Sequence, residues 1–185
     1  MKRILPILLA ALFVLSAGCT LRKPAAVTPE TEPAETDAPA SAPAVTDTPE
    51  ADLAFDTVTL FGDPISTENL HKYDLIVVNC WAEWCPPCVG EMPELEHIHQ
   101  EYPNVLLLGV LSFSYDMDGA LKIISDAGVT YPVLEPAGTL VDLVNRFDAI
   151  PATMFFDSTG NEIADPIVGA MDYEGWKAVI EDLLP

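Results

Sequence analysis

The chain has 185 residues, of which 29 are acidic and eight are basic, and its formal net charge at neutral pH is −21. Residues 53–185 keep 22 acidic side chains against four basic ones, a net of 18 negative charges. Such a surface repels nucleic acid and anionic lipid headgroups, so a nucleic-acid partner is excluded, and acidity that serves only solubility is the simplest interpretation. At this length we expect one ordinary domain with an additional tail.

The first eighteen residues have the pattern of a signal peptide. Lys2 and Arg3 precede an apolar stretch at 4–17, and small residues then lead to Cys19. This stretch is too short to span a bilayer comfortably, since about 20 residues are needed for a hydrocarbon core of about 30 Å. Residues 15–19, Leu-Ser-Ala-Gly-Cys, resemble a bacterial lipobox, which implies lipid attachment at Cys19. Ordinary secretory cleavage, with Cys19 as a free or paired thiol, is the alternative.

Residues 19–52 form a predicted linker that is rich in Pro, Ala, Thr and Glu. Its prolines follow one another so closely that neither a helix nor a strand ladder can propagate. As a flexible coil the linker would reach about 30 Å, and fully extended about 100 Å. We therefore predict a signal peptide at 1–18, a lipid-anchored disordered linker at 19–52 and a folded domain at 53–185 that is held at the cell membrane on its extracytoplasmic side.

The folded domain is predicted to mix strands and helices. Strands are predicted at 55–60, 75–81, 105–111, 132–134, 152–157 and 162–168, and helices at 86–102, 118–126, 139–147 and 173–184. The apolar composition of 75–81 and 105–111 is typical of strands covered on both faces, and the helix between them makes the pair parallel and right-handed. With a hairpin near the end, this order predicts an α/β fold with a central mixed β-sheet and helices on both faces.

Cys85 and Cys88 follow a buried strand directly and lie at the start of a helix, separated by Pro86 and Pro87. Their spacing lets them close a small disulfide. The positive end of the helix dipole favours the Cys85 thiolate, so Cys85 is the predicted nucleophile and Cys88 the resolving cysteine. The two prolines fit because the first helical N–H groups have no intrahelical partner to lose, but they also remove two donors that could stabilise a thiolate.

Two other roles for a C-x-x-C pair have less support. Half of a zinc site would need two more ligands, whereas Cys80 lies in the buried strand and His97 and His99 face different directions on a helix. A purely structural disulfide would close too short a loop to constrain the chain much. We therefore predict no metal and no cofactor besides the redox-active disulfide Cys85–Cys88.

Residues 77–88, Val-Val-Asn-Cys-Trp-Ala-Glu-Trp-Cys-Pro-Pro-Cys, resemble the membrane-associated TlpA/ResA branch of the thioredoxin-like family. Residues 149–153 resemble the second signature of that branch, and the likeness covers residues 53–185. It implies a thioredoxin fold in which Pro151 is cis and its loop faces the disulfide. It also implies that Trp84 and the backbone beside Ile150 contact an extended substrate strand.

The resemblance bears on three further side chains. Glu91, one turn after Cys88, matches an acidic residue of this branch and would be a partly buried carboxylate that moves a proton, with a solvated helix carboxylate as the alternative. Asn79 stands where thioredoxin has a buried Asp, so the proton-handling role of that Asp cannot lie there. Cys80, at a position usually filled by Phe, is expected to be a small buried hydrophobe.

Together these features predict an extracytoplasmic thiol-disulfide oxidoreductase. The resemblance favours a reductant of client-protein disulfides that is supplied by a membrane electron-donor protein, with an apocytochrome c or a methionine sulfoxide reductase as candidate clients. An oxidant that introduces disulfides and a non-catalytic binding module with the same fold are the alternatives. A peroxidase would need Thr three residues before the reactive cysteine, where Ala82 stands.

Overall fold

The computed structural model describes residues 52–185, which contain a five-stranded sheet and a separate two-stranded hairpin. The predicted signal peptide at 1–18 and the predicted linker at 19–52, apart from Asp52, lie outside the described residues. Between residues 52 and 185, no helix has the length and the apolar character that a membrane span requires.

In chain order the elements are β1 (Asp56–Val58), β2 (Pro64–Ser66), a 3-10 helix (Thr67–Lys72), β3 (Leu75–Trp81), α1 (Pro86–Glu101), β4 (Val105–Leu111), α2 (Met117–Asp126), β5 (Val133–Leu134), α3 (Leu140–Val144), β6 (Ala152–Phe156), β7 (Glu162–Val168) and α4 (Tyr173–Leu183).

The main sheet has the strand order β5-β4-β3-β6-β7. Its strand β3 is parallel to β4, and β4 is parallel to β5, whereas β6 is antiparallel to both β3 and β7. The prediction of an α/β fold with a central mixed sheet is therefore confirmed.

The strand predicted at 55–60 is shorter in the structure and lies outside the main sheet. It forms β1, which pairs with β2, and neither β2 nor the 3-10 helix was predicted. The chain turns after β1 because the Thr59 hydroxyl accepts hydrogen bonds from the N–H groups of Phe61 and Asp63, and Gly62 adopts a φ of +90°. This turn depends on side-chain hydrogen bonds that compete with an extended strand. The helix predicted at 139–147 is likewise reduced to α3.

Strand β3 divides the hydrophobic core into two halves, because successive side chains of a strand point to opposite faces. We call these halves the α1 face, which is packed by α1, α2 and α4, and the α3 face, which is packed by α3, the 3-10 helix and the hairpin. Burying one large apolar side chain contributes roughly 1.5–3 kcal/mol. Leu75, Val77 and Trp81 belong to the α1 face, and Ile76, Val78 and Cys80 belong to the α3 face.

The ends of β3 and β6 determine where the cysteine pair lies. Helix α1 begins shortly after the carboxyl end of β3, and it continues through Pro93 without interruption. Because β6 is antiparallel to β3, the first residue of β6, Ala152, pairs with Cys80 near that same end. The Pro151 loop and the start of α1 therefore meet at one edge of the sheet.

Candidate active site

Cys85 and Cys88 form a disulfide at the N-terminus of α1. Cys85 is the N-cap residue, Pro86 and Pro87 occupy the first helical positions, and the Cys88 N–H points at Cys85 Sγ at 3.3 Å. Both cysteines are buried, but Cys85 lines an open groove at the surface and Cys88 does not. Cys85 is therefore the sulfur that a partner molecule can reach, and its role as the nucleophile stays a prediction.

The loop before β6 faces the disulfide. The peptide bond between Ile150 and Pro151 is cis, as the family resemblance implied. The carbonyl oxygen of Ile150 lies 3.6 Å from Cys85 Sγ. The structure thus brings Ile150 and Pro151 together with the cysteine pair, although 65 residues separate Ile150 from Cys85 in sequence.

An apolar groove of about 360 Å³ runs beside Cys85. Trp84, predicted as a substrate contact, forms part of its wall and has half of its surface exposed. Phe113 and Phe147 also line the groove, and sequence reasoning missed both because their loops are distant from the cysteines along the chain. The lining consists of Trp84, Cys85, Pro86, Pro87, Phe113, Phe147, Asp148, Ala149 and Ile150.

Glu91 is more deeply buried than the sequence predicted, with only 2% of its surface exposed. Its Oε1 accepts a hydrogen bond from the Asn79 side chain at 3.0 Å, and its Oε2 accepts one from the Met171 N–H at 3.4 Å. Burial raises the pKa of Glu91 to about 7, although these bonds and the indole of Trp176 act in the opposite direction. The Trp176 Nε1 is itself buried and makes no hydrogen bond within residues 52–185. Glu91 is therefore poised to exchange a proton near neutral pH.

Asn79 links the carboxylate to the sheet, a role that the sequence did not indicate. Its amide nitrogen donates to Glu91 Oε1 and to Thr153 Oγ1, each at 3.0 Å, and all three side chains are buried. An aspartate at this position would place two carboxylates against each other, which would raise the pKa of at least one of them. In this network the titratable group is thus on α1, and the β3 residue supplies a neutral donor.

The third cysteine, Cys80, is a free thiol on the α3 face with none of its surface exposed. Burial raises its pKa to about 12, and a hydrogen bond with Ser112 offsets this only in part. The thiol therefore stays protonated at neutral pH. The expectation that Cys80 acts as a small buried hydrophobe is confirmed.

The two histidines of α1 have separate environments. His97 stacks on Tyr173 with 4.2 Å between ring centroids, whereas His99 meets the edge of Tyr131. Within residues 52–185 there is no group of three His, Cys, Asp or Glu side chains arranged to hold a metal ion. The chemistry available at this site is that of the sulfur pair and the buried carboxyl.

Comparison with known proteins gives a consistent result. The family model described as AhpC/TSA matches residues 46–161, which is more than half of the chain. The thiol-disulfide oxidoreductase ResA of Oceanobacillus iheyensis is 27% identical over 114 residues, which cover 60% of this chain and 57% of that protein. Sporulation thiol-disulfide oxidoreductase A of Bacillus subtilis is 25% identical over 149 residues, which cover 78% of this chain and 88% of that protein.

Solved structures share the fold. A thiol:disulfide interchange protein of the thioredoxin family from Chlorobium tepidum superposes with a TM-score of 0.64 at 23% identity. The superposition covers 76% of this chain and 100% of that one. The whole of the other protein thus has a counterpart here, which confirms that the domain has a thioredoxin fold.

Proposed function

The chain belongs to the AhpC/TSA family as a thiol-disulfide oxidoreductase, and from this premise we propose that it reduces the disulfides of client proteins outside the cytoplasm. The position of Cys85 Sγ is the observation that carries the proposal. This sulfur lies at a helix N-terminus, lines an apolar groove and is 3.6 Å from the carbonyl of Ile150. A client cysteine in that groove would lie next to the Cys85 sulfur and next to the backbone carbonyl of Ile150.

The reaction begins from the dithiol form of the pair. The Cys85 thiolate attacks a client disulfide, one client sulfur leaves as a thiolate, and a mixed disulfide forms. Cys88 then attacks Cys85 Sγ, the second client sulfur leaves, and the Cys85–Cys88 disulfide forms. The client gains two electrons and two protons, and no bound cofactor takes part. A membrane electron-donor protein would restore the dithiol.

The helix start supports the reducing direction. The Cys88 N–H and the helix dipole stabilise negative charge on Cys85, but Pro86 and Pro87 offer no N–H groups at the first two helical positions. A thiolate with fewer donors is less stabilised. Because a strong oxidant owes its potential to a strongly stabilised reduced form, this arrangement favours a reductant.

We assign proton transfer to Glu91 and client contact to the groove. Glu91 lies one turn after Cys88 in α1, and its pKa of about 7 suits a group that takes a proton from the resolving thiol and returns it. Trp84, Ile150 and Pro151 would hold the client as an extended strand next to Cys85. Lipid on Cys19 and the linker at 19–52 would keep the domain at the membrane, where an apocytochrome c or a methionine sulfoxide reductase is a candidate client.

Two measurements test this function. We expect a midpoint potential of about −300 to −250 mV, whereas a value near −120 mV would indicate an oxidant. The Cys88→Ala variant should retain its client on Cys85 as a mixed disulfide, and Cys85→Ala is the matched control that should retain none. A wild-type dithiol that leaves insulin disulfides intact would instead indicate a binding module.

A further inference from the structure

The loop between β4 and α2 forms one wall of the groove and has an unusual backbone. Phe113 adopts a φ of +55°, in the left-handed region that a bulky residue rarely occupies, and half of its surface is exposed beside Cys85. Tyr115, two residues later, is 86% exposed and lies near the Trp84 ring. A strained conformation persists only where surrounding contacts hold it, and such residues concentrate at functional sites.

The contacts that hold this loop come from the two residues before Cys85. Glu83 Oε1 accepts hydrogen bonds from the N–H groups of Tyr115 at 2.7 Å and Asp116 at 3.0 Å. The Trp84 Nε1–H donates to the carbonyl oxygen of Phe113 at 2.9 Å. The segment that carries the cysteines therefore also fixes the wall opposite them.

The second oxygen of Glu83 takes no part in this attachment. Glu83 Oε2 and Ser114 Oγ are both shielded from water, and neither makes a hydrogen bond within the described residues. Partial burial alone would raise the pKa of Glu83, but the hydrogen bonds from the N–H groups of Tyr115 and Asp116 outweigh this effect, so that its pKa is lowered. The carboxylate is thus ionised at neutral pH, and a charged acceptor forms stronger hydrogen bonds than a neutral one.

One hydrogen bond of Glu83 ends on the loop, and the other ends on Asp116, the N-cap residue of the neighbouring helix. Helix α2 has its own N-cap, because Asp116 Oδ1 accepts the Gly119 N–H at 2.9 Å. Glu83 does not line the groove, so it has no direct contact with a molecule bound there. Its hydrogen bonds end two and three residues after Phe113, which itself lines the groove.

We propose that Glu83 is a positioning residue, which holds Phe113 at the groove and thereby sets the preference for client segments with an apolar side chain beside the cysteine. The inference rests on the proposed reductase function. It predicts that loss of Glu83 changes the preference among disulfide substrates more than it changes the general rate of disulfide exchange.

The test compares three disulfides with the reduced full-length protein. The probes are a short cyclic peptide disulfide with Phe beside one cysteine, the same peptide with Ser in place of that Phe, and bis(2-hydroxyethyl) disulfide. The variants are Glu83→Ala, Glu83→Gln and Phe113→Gly, with Glu68→Ala as a control that removes an exposed carboxylate of the 3-10 helix. Phe113→Gly removes the ring and suits the positive φ, so this variant should fold well.

We expect Glu83→Ala and Phe113→Gly to lose the preference for the Phe peptide by about tenfold, since each removes the ring from its place in the groove. Glu83→Gln keeps one acceptor oxygen and should fall between Glu83→Ala and the wild type. Every Glu83 and Phe113 variant should lose more rate with the Phe peptide than with bis(2-hydroxyethyl) disulfide, which has no side chain for the groove, and Glu68→Ala should behave as wild type with all three probes.

Two results would overturn the inference. In the first, Phe113→Gly or Glu83→Ala keeps the full preference for the Phe peptide. In the second, the rates for all three probes fall in parallel, which would indicate general damage to the cysteine pair. If the wild type reduces none of the probes, the reductase function itself fails, and the two failures are thereby distinguished.

Discussion

Strand β3 contributes side chains to both faces of the central sheet, and the two faces differ in chemistry. Asn79 and Cys80 are neighbours in β3, and both are buried. Asn79 is hydrogen-bonded to Glu91 on α1, whereas Cys80 is surrounded by the apolar side chains of the α3 face. A shift of one residue along a strand therefore separates a buried polar network from an apolar core.

The same contrast holds between the sulfur atoms. Cys85 caps a helix and faces a groove, whereas burial raises the pKa of Cys80 to about 12. Cysteine reactivity follows thiolate character and access, so two side chains of identical chemistry differ because of where the fold places them. Position in the fold, rather than residue type, decides which thiol can react.

Substitution of the cysteines tests this difference between the two faces most directly. Cys85→Ala removes the nucleophile, and we expect disulfide reduction to fall by about a thousandfold or more. Cys80→Ala is the matched control, and its rate should stay within roughly twofold of wild type, because the α3 face has no part in the exchange. Insulin reduction by both variants measures this difference. A comparable loss in Cys80→Ala would show that the two faces are coupled.

A second comparison uses the two buried carboxyls of α1. Burial raises the pKa of Glu91 to about 7 from an ordinary 4.5, so the folded protein holds a proton that the unfolded chain has released. The free energy of unfolding therefore falls as the pH rises through this range. Glu91→Gln removes this titrating group. The free energy of unfolding of the variant, relative to the wild type, should therefore rise by about 2 kcal/mol between pH 5 and pH 8. Disulfide exchange should also be slower in the variant.

Glu96 is the control, because its pKa is shifted in the opposite direction from that of Glu91. Burial alone would raise the pKa of Glu96. Hydrogen bonds from the Thr130 N–H, the Thr130 hydroxyl and Gln100 outweigh this effect, so the pKa is lowered overall. Its contribution to stability is present above the ordinary carboxyl value and is lost as the pH falls through the folded pKa. Glu96→Gln should therefore destabilise the protein at pH 7 and leave exchange unchanged. Denaturant unfolding at several pH values gives the free energy of unfolding of both variants relative to the wild type. The assignment would be refuted if this difference changed with pH in the same direction for Glu91→Gln and Glu96→Gln.

The smallest expected effect concerns the packing of Cys80. Cys80→Ala should lower the free energy of unfolding by about 1 kcal/mol, since it removes one buried sulfur atom from the α3 face. In the folded wild type, a maleimide reagent should label Cys80 only at the rate of global unfolding. Rapid labelling under native conditions would show that this face opens locally.

Much of the fold could be predicted from local patterns. The apolar stretches at 75–81 and 105–111 correspond to β3 and β4, because a strand covered on both faces needs apolar side chains at nearly every position. The strand predicted at 55–60 was wrong in its extent because the Thr59 hydroxyl ends β1 early. Such a side-chain turn competes with extended structure in a way that alternation does not reveal.

The sequence by itself determined the cysteine pair, the helix that Cys85 caps and the family signature at Pro151, since each depends on residues that are close together along the chain. Only the tertiary structure decided that Glu91 is almost fully buried, that Asn79 joins it to Thr153, and that Phe113 lines the groove beside Cys85. These contacts depend on strand register. Asn79 pairs with Thr153 across two antiparallel strands, and no local pattern records which residues will be opposite each other once the sheet has formed.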